Sequence, residues 1–133
     1  MEIIEARVKR LSDISREADL KRWIAKLAAA EAAAARDPDA KLLYYRISYR
    51  LSAKKSGIDT YDHRSHALTD IIRSVKGEHH VATSTWDVSL HIASAAVLTE
   101  LLSPPLSPSL DALRIIQVSK QNRGSFGVDK LES

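Results

Sequence analysis

Residues 42–52 read LLYYRISYRLS, and apolar and polar side chains alternate along this stretch. Side chains separated by two positions share one face of an extended chain, so this pattern is typical of a half-buried β-strand. The predicted core face is Leu43, Tyr45, Ile47, Tyr49 and Leu51. The predicted outer face is Tyr44, Arg46, Ser48 and Arg50. Helical spacing dominates the preceding residues, so the change of period at Leu42 indicates a mixed α and β fold.

The segments after this strand alternate between helix and strand. Asp59 or Thr60 caps a predicted helix that closes at Gly77. Its predicted inner face is Tyr61, Leu68, Ile71, Ile72 and Val75. Residues 78–90, EHHVATSTWDVSL, predict one or two strands with Ser84, Trp86, Val88 and Leu90 toward the core. A short helix over 94–102 stops before Ser103-Pro104-Pro105, and residues 111–119 form a last strand.

The first forty residues predict a helical arm. Residues 18–36 are rich in Ala, Leu, Lys and Glu and place an apolar stripe on one side, ending near Asp37-Pro38. With Ser15 as N-cap the helix is about 33 Å long at 1.5 Å per residue. Residues 1–11 fit a helix or a strand, and we favour the helix. The stripe consists of Leu20, Trp23, Ile24 and Leu27.

This stripe needs a partner, because most of the stability of such a helix comes from packing. The outer face of the predicted sheet is polar and charged, so it is a poor match for this apolar stripe. We expect the stripe to pack on the domain's own helices or on the arm of a second subunit. A third possibility is a protein-interaction module that recruits an external partner through the Trp23 and Leu27 face.

Composition favours one domain. The chain has 133 residues, 44% of them hydrophobic, and no cysteine. We expect a helical arm over 1–40, a domain over 41–119 and a flexible tail over 120–133. No long apolar run or signal segment is present, so we expect a cytoplasmic protein without a membrane partner. The net charge of +3 is concentrated in residues 41–60, where five basic side chains face one acid.

The order strand, helix, two strands, helix, strand predicts an α+β fold. If residues 78–90 form two strands, the order is the βαββαβ of a ferredoxin-like two-layer sandwich with an N-terminal helical extension.

Several residues of this domain carry a family resemblance. Ile47-Ser48-Tyr49 ends the first strand, a tyrosine opens the first helix, and a His-x-x-x-Ser-Thr-Trp run marks the second strand region. Residues 42–119 resemble the small CRISPR-associated adaptation proteins (CRISPR-associated protein two) and their stand-alone SinR-like, VapD and GhoS relatives. The matching motif residues are Tyr49, Tyr61, His80, Ser84, Thr85 and Trp86. The resemblance implies a homodimer whose paired strand-end Tyr-Asp carboxylates hold a divalent metal for RNA or DNA cleavage.

Arg50 stands where that family carries the aspartate. A guanidinium offers only donors and a permanent positive charge, so it repels the cation that a carboxylate would bind. We therefore predict a non-catalytic homodimeric relative, without catalytic residues, metal or cofactor, that binds nucleic acid weakly or serves as an assembly module. The alternative is a metal-dependent endoribonuclease of toxin/antitoxin type in which Asp59 and Asp62 replace the lost acid.

The outer face of the first strand is the candidate site for RNA or DNA. Its basic side chains, the following loop and a neighbouring strand would contact phosphates, as in sheet-based RNA binders. The predicted contact residues are Tyr44, Arg46, Arg50, Lys54, Lys55 and Arg114. The competing interpretation is an ordinary cross-strand ion pair between Arg46 and Asp87. Among five histidines, His63 with His66 and His79 with His80 have weak metal-like spacing, and we favour surface roles.

Overall fold

A computed structural model describes residues 2–56, 59–75 and 77–119, with side chains from residue 15 onward. The tail predicted over 120–133 lies outside the described residues. The elements in chain order are α1 (Glu2–Ala35), β1 (Leu43–Arg50), α2 (Tyr61–Arg73), β2 (His79–Ala82), β3 (Thr85–Leu90), α3 (Ala95–Leu102) and β4 (Ala112–Val118).

The four strands form one antiparallel sheet in the order β2-β3-β1-β4. The α+β class predicted from the sequence is confirmed. β1 is a central strand, since it pairs with β3 along one side and with β4 along the other. The quoted stretch therefore forms the middle of the sheet.

The 78–90 region forms a hairpin of two strands, which decides between the two sequence-based alternatives. β2 pairs with β3, and the register shifts between His80 and Ala82 as at a β-bulge. Trp86 is buried as predicted, whereas Ser84 lies in the turn between the strands and is only partly buried.

Helix α2 begins at a capping box. Thr60 Oγ1 accepts from the backbone N–H of His63, and His63 Nδ1 accepts from the backbone N–H of Thr60. The helix ends at Arg73, so the prediction that it closes at Gly77 was wrong. Gly77 instead has φ of +82° in the turn before β2, a conformation that glycine adopts readily.

The core lies between the helices and one face of the sheet. β1 and β3 contribute alternate side chains to it, while α2 and α3 contribute a stripe each. The predicted inner positions of α2 are buried at Leu68, Ile71, Ile72 and Val75, but Tyr61 is 42% exposed and that prediction was wrong. Ser94 caps α3 by accepting from the backbone N–H of Val97.

Helix α1 is a single 34-residue helix, longer than predicted. Ser15 lies inside it and is not its N-cap, because residues 2–35 contain no proline or glycine that would interrupt it. α1 packs against α2 and α3, with Leu27 at 2% exposure and Leu20, Trp23 and Ile24 partly buried against the core. The apolar stripe is thus covered by the chain's own helical layer. No helix within the described residues has the length and apolarity to cross a membrane.

Candidate nucleic-acid interface

The strand register places the predicted polar side chains on one sheet face. Ser48 of β1 lies opposite Thr85 of β3 and Arg114 of β4, and Arg46 lies opposite Asp87. Directly paired residues share a face, and so do alternate residues along a strand. Tyr44, Arg46, Ser48, Arg50, Thr85, Asp87 and Arg114 therefore all lie on the face opposite the core.

Arg46 and Asp87 form a two-point ion pair across the central strands. Arg46 Nε lies 2.8 Å from Asp87 Oδ1, and Nη2 lies 3.0 Å from Oδ2. The carboxylate is fully buried and the arginine side chain is 17% exposed. The hydrogen bond to Asp87 raises the pKa of Arg46 further above its ordinary value. The charge of Arg46 is thus balanced, as the cross-strand interpretation expected.

Arg50 and Arg114 present their charge differently. They are diagonal neighbours on β1 and β4, since Arg50 pairs with Ala112 and Arg114 pairs with Ser48. Diagonal positions of this kind lie about 7–8 Å apart. Both arginines are exposed, and neither makes an ion pair with any described residue. Two neighbouring guanidinium groups without a carboxylate attract an anion.

The loop after β1 carries two more basic side chains. Lys54 and Lys55 are exposed, and the backbone N–H of Lys54 donates to Ser52 Oγ at 3.1 Å. Arg50, Lys54, Lys55 and Arg114 together form what we call the basic patch. Sequence reasoning selected all four residues, and the structure adds that Arg50 and Arg114 are neighbours in the sheet.

A buried arginine of α2 holds this loop at both ends. Arg64 is 2% exposed. Its Nη2 donates to the carbonyl of Ser52 at 2.7 Å, and its Nη1 donates to the carbonyl of Asp59 at 2.9 Å. Each contact joins a charged donor to a backbone acceptor, which is stronger than a neutral hydrogen bond. The backbone that carries Lys54 and Lys55 is therefore anchored to α2.

Asp111 completes the anchor from the start of β4. Its carboxylate accepts from Arg64 Nε at 2.8 Å and Nη2 at 3.2 Å, and from the backbone N–H groups of Ser52 and Ser107 at 2.9 Å each. Burial alone would raise the pKa of Asp111, but the hydrogen bonds from Arg64 and the two backbone groups outweigh it and lower the pKa. The end of β1 is thereby fixed to the start of β4.

Sequence reasoning missed this ion pair, although a signal was present. Arg64 precedes Leu68, Ile71 and Val75 by four, seven and eleven positions, which is the spacing of one helix face. An arginine that is buried on the apolar face of a helix is expected to pair with a carboxylate. The sequence alone does not identify this carboxylate, because Asp111 lies 47 positions from Arg64.

The six residues on which the predicted family resemblance rests divide into two groups. The His80 ring stacks on Trp86 with 4.2 Å between centroids, and Trp86 Nε1 donates to Tyr49 Oη at 3.4 Å. The backbone N–H of Tyr49 donates to the carbonyl of Ser84 at 3.1 Å. These four residues meet at one end of the sheet. The motif's other two members are separate: Thr85 lies on the outer face, and the exposed Tyr61 opens α2.

Asp59 and Asp62, the two acids of the alternative metal site, each interact with another part of the protein. Asp59 Oδ1 lies 3.1 Å from Arg16 Nε, so an arginine of α1 occupies that carboxylate. Asp62 is exposed in the first turn of α2, where a carboxylate interacts favourably with the helix dipole. Among the side chains that the structure describes, which begin at residue 15, no three from His, Asp or Glu come together as ligands for one ion.

Comparison of the sequence with protein-family models and with curated proteins finds no match.

Proposed function

We propose that residues 42–119 form a ferredoxin-like domain related to the CRISPR adaptation proteins, and that it binds nucleic acid without cleaving it. The βαββαβ order of elements after α1 supports the fold proposal. Read from the other edge, the strand order is β4-β1-β3-β2. Helix α2 connects β1 to β2, and β3 lies between these two strands. Helix α3 connects β3 to β4, and β1 lies between them. Ferredoxin-like domains have a split βαβ arrangement of this kind, which supports the fold proposal.

The neighbouring, exposed Arg50 and Arg114 are the observation that carries the binding proposal. Guanidinium groups recognise phosphate oxygens well and keep their charge at all physiological pH values. Tyr44 is the single aromatic side chain that β1, β3 and β4 place on this face, and it is half-buried. Phosphate contact therefore outweighs base stacking, which makes the proposed binding weak, salt-dependent and independent of sequence.

The anchored loop extends the basic patch. Because Arg64 and Asp111 anchor both ends of the loop backbone, less ordering of the backbone is needed when Lys54 and Lys55 contact phosphates. The proposed surface thus runs from Arg114 through Arg50 to the loop. Arg46 forms an ion pair with Asp87, so it attracts an anionic ligand less strongly than the residues of the basic patch do.

Fluorescence anisotropy with labelled RNA and DNA oligonucleotides, single-stranded and duplex, tests this proposal. We expect binding at low salt that weakens as salt rises. The double variant Arg50→Gln/Arg114→Gln should reduce the slope of log K against log salt by about 1.4 for single strands and about 1.8 for duplex DNA. The matched control is Lys26→Gln/Arg36→Gln, which removes the same charge from exposed positions of α1 and the following turn.

Two outcomes would overturn the binding proposal. One is an absence of binding to any oligonucleotide at low salt. The other is an equal loss of affinity in the patch variant and the control variant, because net charge rather than the basic patch would then explain the attraction.

We also propose a homodimer, as the family resemblance implies. Ile116 of β4 is 41% exposed and lies opposite Arg46 on the outer face, where it offers an apolar contact to a second copy. Light scattering over a concentration series should give twice the mass of one chain, and Ile116→Lys should shift the protein toward the monomer. A monomer at all concentrations would contradict the dimer while leaving nucleic-acid binding open to its own test.

A further inference from the structure

A concave site is present whose lining includes none of the four residues of the basic patch. It is a groove of about 320 Å³ between the C-terminal half of α1 and the ends of α2 and β3. Its walls are largely apolar, with contributions from Ile24, Leu27, Val75 and Leu90, and its polar groups include Glu31 and His91. Apolar grooves of this size with a few converging polar groups are typical of small-molecule sites.

Glu31 makes three polar contacts at this groove. Its Oε1 accepts from the backbone N–H groups of His91 at 2.7 Å and Ile92 at 3.1 Å. Its Oε2 lies 2.7 Å from His91 Nδ1. The carboxylate therefore bridges α1 to the segment after β3, and it sets both the position and the orientation of the imidazole ring.

This contact also determines which ring nitrogen carries the proton. An ionised carboxylate can only accept hydrogen bonds, so neutral His91 must donate through Nδ1–H. The lone pair then remains on Nε2. No residue in the described part of the chain bonds to Nε2, and the His91 side chain is 32% exposed. His91 is one of the residues that line the groove, so its neutral ring brings an oriented hydrogen-bond acceptor to the groove lining.

We propose that this groove binds a small apolar molecule bearing a hydroxyl or amine, whose hydrogen is donated to His91 Nε2. The apolar walls bury the body of the ligand, and the Glu31–His91 pair selects for a hydrogen-bond donor. An acceptor-only molecule of the same size places its lone pairs against that of Nε2 and is disfavoured. This site is independent of the proposed nucleic-acid surface.

The first experiment compares phenol, toluene and acetophenone as probes, followed by NMR of the ¹⁵N-labelled imidazole of His91. We expect phenol to shift the Nε2 resonance and to bind about threefold to tenfold more tightly than toluene, the range that one neutral hydrogen bond gives. Acetophenone should bind no better than toluene. Equal affinities for phenol and toluene, or no groove resonance shifted by any probe, would refute the proposal.

Glu31→Gln provides a reversal test. The carboxamide oxygen can still accept from the backbone N–H groups of His91 and Ile92, which leaves its NH₂ to donate to Nδ1. The ring proton must then move to Nε2, so we expect acetophenone to bind more tightly than phenol in this variant. His91→Ala should remove the discrimination between the probes. An unchanged phenol preference in a folded Glu31→Gln protein would contradict the assignment of Nε2 as acceptor.

Discussion

Replacing Asp111 with asparagine should destabilise the fold strongly, because it removes one charge of a buried ion pair. The Arg64 side chain is 1% exposed and the carboxylate is fully buried, so water cannot replace the lost interaction. Removing one partner of such a pair typically costs about 3–5 kcal/mol. Asparagine keeps the size and one acceptor oxygen but turns an NH₂ toward a donor. We therefore expect a loss of about 3 kcal/mol in the free energy of unfolding.

The partner substitution Arg64→Met removes the ion pair together with the backbone contacts of Arg64. It leaves the carbonyls of Ser52 and Asp59 without their donor, so it should also destabilise. The double variant Arg64→Met/Asp111→Asn no longer contains an unpaired charge. Its loss should be smaller than the sum of the single losses by about 2 kcal/mol, within the range found for directly interacting residues.

Urea denaturation at neutral and acidic pH measures these losses and their pH dependence. The folded-state pKa of Asp111 is lowered from its ordinary value of 3.8. Its contribution to stability is therefore present above that value and is lost as the pH falls through the folded-state pKa. The difference in unfolding free energy between the wild type and Asp111→Asn should shrink on acidification below about pH 4.

Asp19→Asn is the matched control. Asp19 pairs with Arg22 one helical turn away, and the two side chains are 36% and 63% exposed. Its replacement should cost less than about 0.5 kcal/mol. A loss below about 1 kcal/mol for Asp111→Asn, or a loss that stays constant in acid, would refute the role assigned to the buried pair.

The regular elements were readable from the sequence because each is encoded locally. Alternation over residues 42–52 defined β1, and Ser103 with the two prolines that follow it marked the end of α3 at Leu102. Two helix boundaries were predicted wrongly, the N-cap of α1 at Ser15 and the end of α2 at Gly77. No residue interrupts α1 near Ser15, so a good capping residue there lies in the middle of a helix. At the end of α2, Gly77 serves the turn to β2 rather than the helix.

The contacts that hold the candidate site could not be read in the same way. Arg64 and Asp111 are 47 positions apart, and Arg46 and Asp87 are 41 apart. A charge pattern shows that a buried arginine needs a partner, but only the register of the sheet and the packing of α2 select the carboxylate. The opposite charges of Arg46 and Asp87 were the exception, since both lie on the predicted outer face of the sheet, and the register of β1 and β3 places them opposite each other.

Three further substitutions test the packing around the sheet. Tyr45→Phe leaves the Ile92 carbonyl without its 2.6 Å donor and should cost about 1 kcal/mol at neutral pH. Burial, and then the charge of Glu31, raise the pKa of Tyr45, so the wild type should lose stability above about pH 10 and Tyr45→Phe should lose less, as alkaline urea melts would show. Gly77→Ala should destabilise by about 1–3 kcal/mol in thermal melts, because its φ is +82° and a Cβ would lie 2.7 Å from Ser89 Oγ; an unchanged melting temperature would contradict this.

Leu27→Ala tests whether α1 is docked in solution. The side chain is 2% exposed where α1 meets α2 and α3, so its truncation should cost about 2–5 kcal/mol, although alanine itself favours the helix. A helix that stood free would lose nothing on this change and would gain from it. A loss of less than about 1 kcal/mol in urea denaturation would therefore show that α1 is not held by its apolar stripe.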